Sequence, residues 1–145
     1  MITKVALSSV LVALAGALPG STATAQEASP SASVRIVDRP AILRADGGVR
    51  LAVAAKCDAT LQAFELDASL TQYQASGFLL RLAPPAVVVC DGSRHRNKVI
   101  VYPSSGSFVT GTAKASVFVG FYDPQQDRDL ARQDAATITI VTKGE

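Results

Sequence analysis

The chain has 145 residues, 48% of them hydrophobic, and 14 Lys and Arg against 12 Asp and Glu leave a formal net charge of +2. A balance so close to neutral excludes a general nucleic-acid binder and a protein held to anionic membranes by bulk charge, since both would be strongly basic. Two cysteines, one histidine and no tryptophan leave little material for metal or redox chemistry.

The N-terminus reads as a secretory signal. Lys4 supplies a positive start, residues 5–18 form a 14-residue apolar run, and Pro19-Gly20 breaks it. Ala23-Thr24-Ala25 then places small residues where a signal peptidase reads. A membrane-spanning helix needs about 20 apolar residues, so this run is too short to stay behind as an anchor. The expectation is a signal peptide over 1–25, cut after Ala25, and an extracellular product with no membrane anchor. Residues 26–33 (QEASPSAS) read as a flexible lead-in, and 34–145 as one folded domain.

Cys57 and Cys90 are the only cysteines, and an oxidising compartment makes such a pair a disulfide with one possible connectivity. Chain entropy puts the value of that bridge at about 3.5–4 kcal/mol. The spacing is unlike the close Cys-x-x-Cys of a redox pair.

From residue 34 onward apolar side chains recur at every second position, the period of a strand. The first candidate is 34–38. After the turn Asp46-Gly47-Gly48, the residues Val49, Leu51, Val53, Ala55 and Cys57 share one face, with Arg50 and Lys56 on the other. Segments 61–73 and 77–82 follow, then the break Pro84-Pro85 and a more continuously apolar strand over 86–90. Asp91-Gly92 opens a polar loop, 98–102 is a strand, and Pro103-Ser104-Ser105-Gly106 is a turn. Segments 112–122 and 136–142 complete the set, with 127–133 (DRDLARQ) as a single helical turn. About seven to eight short strands with regular turns and no long helix predict an all-β, antiparallel β-sandwich. Cys57 and Cys90, on separate strands, are expected to join its two sheets across the core.

Several residues also match in order and spacing: Asp46-Gly47 before a strand ending in Cys57, then Leu70-Thr71-Gln72, Val89-Cys90-Asp91-Gly92, and Phe108 with Gly111, Ala113 and Ala115. On these motifs, over about 34–142, the chain resembles small secreted immunoglobulin-like domains of high-GC Gram-positive, actinobacterial type. The resemblance implies an immunoglobulin-like sandwich and a secreted bacterial location; it brings no activity with it. Antibody-type domains carry a Trp between the bridged strands, and this chain has none. A weaker, architectural likeness is to the secreted apoproteins of enediyne chromophores, which carry two disulfides where this chain allows one.

Candidate chemistry is sparse. Ser93, His95 and Asp91 can be written as a triad, but residues this close on an extended loop rarely converge beside an oxyanion hole. A lone histidine without nearby cysteines makes a poor zinc site. Asp123, Asp127 and Asp129 lack the alternating ligands and closing Glu of a calcium loop. The reading is therefore no enzyme, no cofactor and no metal.

Two features point to binding. Arg94, His95, Arg96 and Lys98 are the densest basic cluster, a candidate loop for sulfate, phosphate or an acidic polymer. On the late strand, Phe118 and Tyr122 make an otherwise polar face apolar, a candidate contact patch. The expected function is a monomeric extracellular binding or interaction module. Its partner would be a protein or a cell-surface polymer, with no nucleic acid involved. The alternatives are a small-molecule carrier with a cleft lined by Phe118, Phe121 and Tyr122, and a minor hydrolase using His95.

Overall fold

The computed structural model describes residues 29–82 and 88–144. The expected signal peptide, the first residues of the lead-in, the Pro84-Pro85 break and the first two residues of the expected strand 86–90 lie outside the described residues.

Period-two patterning is strand throughout, and the described residues contain no helix. In chain order the strands are β1 Ala32–Ile36, β2 Ala41–Leu43, β3 Val49–Cys57, β4 Gln62–Gln72 and β5 Ala75–Leu82. They continue with β6 Arg94–Val101, β7 Pro103–Ser105, β8 Gly111–Asp123 and β9 Arg128–Thr142. Hydrogen bonding follows the path β1-β3-β2-β9-β8-β4-β5-β7, with β6 on the free edge of β3. Every pairing is antiparallel except β2 with β9, which run parallel from Ala41↔Ile140 to Leu43↔Thr142. The path folds back so that β1, β3 and β6 cover β4, β5, β8 and β9, a sandwich-like arrangement around one apolar core.

Alternation explains the core. Val49, Leu51, Val53, Ala55 and Cys57 of β3 point inward and are buried. They meet Leu66, Ala68 and Leu70 of β4 and Ala113, Ala115, Val117, Val119 and Phe121 of β8. Burying a Val, Leu or Phe side chain stabilises by roughly 1.5–3 kcal/mol, so this face dominates the fold's energetics. Gly77 permits one close approach: a Cβ there would collide with the backbone oxygen of Tyr102. That vacancy lets the chain leave β6 and pass straight into β7 beside β5.

Several expectations are corrected. Residues 127–133 are not a helical turn but belong to the turn and the first half of β9. The β8–β9 ladder runs unbroken from Asp123↔Arg128 to Gly111↔Ile140, and its hydrogen bonds outweigh local helical preference. The polar loop after Asp91-Gly92 becomes strand at Arg94, because β6 pairs with β3 from Lys56↔Arg94 onward. Pro103–Ser105 is a short edge strand, where a proline without an N–H is tolerated. β1 begins at Ala32, inside the expected lead-in. Among the described residues, nine strands with one parallel pair replace the expected seven or eight antiparallel ones.

The disulfide is present, and its place is also a correction. Cys57 ends β3, whereas Val88, Val89 and Cys90 form no strand. The bridge, with Cα atoms 4.7 Å apart, ties β3 to the segment leading into β6, its neighbour in the same layer. It does not cross the core between layers. The turn at Asp91-Gly92 brings the Gly92 N–H to the Cys57 carbonyl at 2.8 Å and so carries Cys90 alongside Cys57.

Candidate functional site

On β6 the odd positions Val99 and Val101 face the core, so Arg94, Arg96 and Lys98 project from the outer face. Register brings in partners that sequence proximity does not show. Lys56 of β3 lies opposite Arg94, Ala54 opposite Arg96, Ala52 opposite Lys98 and Arg50 opposite Ile100. Across the other edge of β3, Arg35 of β1 lies opposite Ala54. Six cations therefore share one sheet face: Arg35, Arg50, Lys56, Arg94, Arg96 and Lys98.

Alternate residues on a strand stand about 6.6–6.8 Å apart and neighbouring strands about 4.7–4.9 Å, so the six charges sit on a tight lattice. Ala52 and Ala54 make its floor, with Arg35 on one side and Arg96 and Lys98 on the other. No Asp or Glu occurs on β1, β3 or β6. Among the described residues, none of the six forms a salt bridge. All but the half-buried Arg50 are exposed. A nearly neutral protein thus concentrates unpaired positive charge on one face.

Arg44, just outside this face, is spent on structure. Its guanidinium grips Asp46 at 3.0–3.2 Å within the β2–β3 turn, and the Tyr102 hydroxyl donates to the same carboxylate at 2.9 Å. The Arg44 hydrogen bonds hold the Asp46 carboxyl below the usual carboxylate range, aided by the Gly48 N–H and Tyr102. The same bond raises the Tyr102 hydroxyl above its ordinary value.

His95 stands apart from the cations. It falls on the core-side row of β6, and its Nε2 lies 2.9 Å from both Asp91 carboxylate oxygens. Ser93 offers Asp91 its backbone N–H at 2.8 Å. Among the described residues, no bond joins the Ser93 hydroxyl to His95, so the written triad does not assemble. His95, followed by the Ser93 N–H, holds the Asp91 carboxyl below its ordinary value. The trio fastens the turn that leads from the disulfide into β6.

The opposite outer face, on β5, β4, β8 and β9, has another character. Phe118 lies opposite Asp67, and Phe78 lies opposite Ser69. The β4 bulge between Ala63 and Glu65 throws the ring of Phe64 over Gly120. Phe118 and Tyr122 are partly buried and share this face, with Phe64 filling the space between them. The Tyr122 hydroxyl is committed to Asp127 at 2.7 Å, a bond that raises its pKa. Phe121, expected in a carrier cleft, is fully buried in the core.

Asp123 is 1% exposed, and its Oδ1 accepts the Gln125 N–H at 3.0 Å within the β8–β9 turn. Asp127 adopts a left-handed φ of 46° there. Among the described residues, no group of three or more His, Cys, Asp or Glu is placed to hold a metal ion. Among the described residues, no helix is long and apolar enough to cross a membrane.

Sequence reading found Arg94, Arg96 and Lys98 but missed Arg35, Arg50 and Lys56, which join them only through strand register. The chain matches no protein-family model and no curated protein.

Proposed function

We propose that this chain is a secreted, non-catalytic binding module whose β1-β3-β6 face engages an anionic extracellular polymer. The observation that carries the reading is the six-cation face on strands free of acidic residues. Bare like charges at this spacing repel one another and destabilise the compact state, so a surface that retains them is best matched by a partner that neutralises them. A sulfated, phosphorylated or carboxylated polymer does so with charge-assisted hydrogen bonds, to which arginine is suited by its bidentate fork. The small floor of Ala52 and Ala54 gives an extended chain room to lie along β3.

The immunoglobulin-like character of the sandwich belongs to the same reading. Its support is that β1 and β2 together attach one edge of the chain to both layers: β1 pairs with β3, while β2 pairs with β3 and, in parallel, with β9. Secretion is supported by the leader-like residues 1–25 and by the disulfide, which suits an oxidising compartment. The test is retention on immobilised dextran sulfate. Wild-type protein should be retained at low salt and released as ionic strength rises. Passage of the folded protein without retention at low salt would overturn the proposal.

A further inference from the structure

Beyond the cationic face, we infer a second site: the groove on the opposite face binds a small organic cation, a protonated amine carrying an apolar body. The groove has a volume of about 590 Å³ and is lined by Asp67, Ser69, Phe78, Ser116, Phe118 and Gln133, among others. That volume lies within the range of roughly 300–1,000 Å³ usual for small-molecule sites. Register fixes the arrangement. Asp67 and Ser69 are two residues apart on β4, with Phe78 beside Ser69 on β5 and Phe118 beside Asp67 on β8. Gln133 of β9 lies beyond Phe118.

Three features select a cation with N–H donors. First, the Asp67 carboxylate lines the groove with no protein donor among the described residues: its Oδ1 is buried and unpaired, which leaves Oδ2 as the oxygen a ligand can reach. An orphaned carboxylate oxygen is costly and calls for a donor. Second, its neighbours do not supply one: the Ser69 and Ser116 hydroxyls are turned to each other, and neither makes a hydrogen bond to Asp67 Oδ1. The nearest cation on the outer face of β4, β8 and β9 is Lys114, four residues from Phe118 along β8 and so roughly 13 Å away. Third, Phe78 and Phe118 flank the carboxylate diagonally and directly, and Phe78 is 59% exposed. Aromatic faces beside a carboxylate attract an ammonium electrostatically and cover its apolar substituent. A neutral ligand would leave the carboxylate unmatched, and an anion would be repelled by Asp67 and by Glu65 on the same strand.

The experiment is a titration of the full secreted chain, followed by amide NMR shifts, with three probes: benzylammonium, benzyl alcohol and benzyltrimethylammonium. Benzylammonium should bind saturably, with shifts centred on Asp67, Ser69 and Phe118. Benzyl alcohol should bind about tenfold more weakly, because it cannot form the charge-assisted bond. Benzyltrimethylammonium, with charge but no N–H, should fall between them. Asp67→Asn should weaken benzylammonium about tenfold. Equal affinity for benzyl alcohol and benzylammonium would overturn the site, as would the absence of saturable shifts with every probe. The probe comparison uses the wild-type protein, so it stands even where a variant fails to fold. Retention on dextran sulfate should be unchanged in D67N, which separates this site from the cationic face.

Discussion

The carboxylate of Asp134 on β9 accepts the backbone N–H of Ile36 on β1 at 2.7 Å. Two positions earlier on the same inward row, Arg132 Nε donates to the Ala32 carbonyl at 2.9 Å. β1 pairs with β3 along one edge only, and these two side chains satisfy backbone groups on its other edge, where β2 farther along meets β9 strand to strand. An unpaired strand edge is an aggregation hazard as well as an energetic cost. Arg132 and Asp134 close it.

Asp134→Ala should therefore destabilise the fold by about 1–3 kcal/mol, the cost of leaving a part-buried donor unmet. Chemical denaturation measures the loss, and hydrogen exchange at the Ile36 amide should accelerate selectively. Exchange unchanged at Ile36 would show that another group satisfies it.

Gly77 should resist replacement. In Gly77→Ala the new methyl meets the Tyr102 backbone oxygen, the Val101 side chain and the Phe108 ring, none of which can swing away freely. Overpacking of this kind costs about 1–3 kcal/mol. A thermal melt comparing Gly77→Ala with Gly111→Ala separates packing from backbone effects. Gly111 has open space around it, and its φ of 125° strains any side chain.

Removing the bridge with the double variant Cys57→Ala/Cys90→Ala should lower stability by about 3.5–4 kcal/mol on the chain-entropy account for a separation of 33 residues. Because the bridge lies within one layer, the β1-β3-β6 pairing should survive, and urea unfolding should stay a single transition. Loss of cooperativity would instead indicate that the staple holds the layers together.

The Asp91–His95 contact predicts an acid limb. The folded pKa of Asp91 is lowered, so its stabilisation is present above the ordinary aspartate range and is lost as pH falls through the lowered folded value. Melting temperature measured against pH should fall more steeply for wild type than for Asp91→Asn at that acid end. Parallel curves would exclude the contribution.

Much of this fold was legible in the chain, and the failures have physical causes. Strands such as Val49–Cys57 and Gly111–Asp123 announce themselves because one face is buried and the other wet. β2, three residues long, is too short to show a period, and β7 is masked by Pro103 and its serines. The start of β9 carries the helix-compatible string Asp-Leu-Ala-Arg-Gln, and only its ladder with β8 decides the matter. The disulfide pair was evident, but its direction depended on the Asp91-Gly92 turn. For the site, Arg94, Arg96 and Lys98 are adjacent in sequence and visible, while Arg35 and Lys56 arrive by register with β3. Phe78 and Asp67 likewise meet only through β4.

The most direct test of the cationic face compares two charge-matched variants for binding to soluble dextran sulfate by calorimetry at several salt concentrations. One removes Arg94 and Arg96 as alanines; the other removes Lys114 on β8 and Arg128 on β9, two exposed cations outside β1, β3 and β6. If binding is located on that face, Arg94→Ala/Arg96→Ala should weaken it at least about tenfold and flatten its salt dependence, as fewer counterions are released. Lys114→Ala/Arg128→Ala should change it by less than about twofold, in line with surface charges outside a contact. Equal weakening by the two double variants would mean that only net charge matters, and would contradict a defined polyanion site.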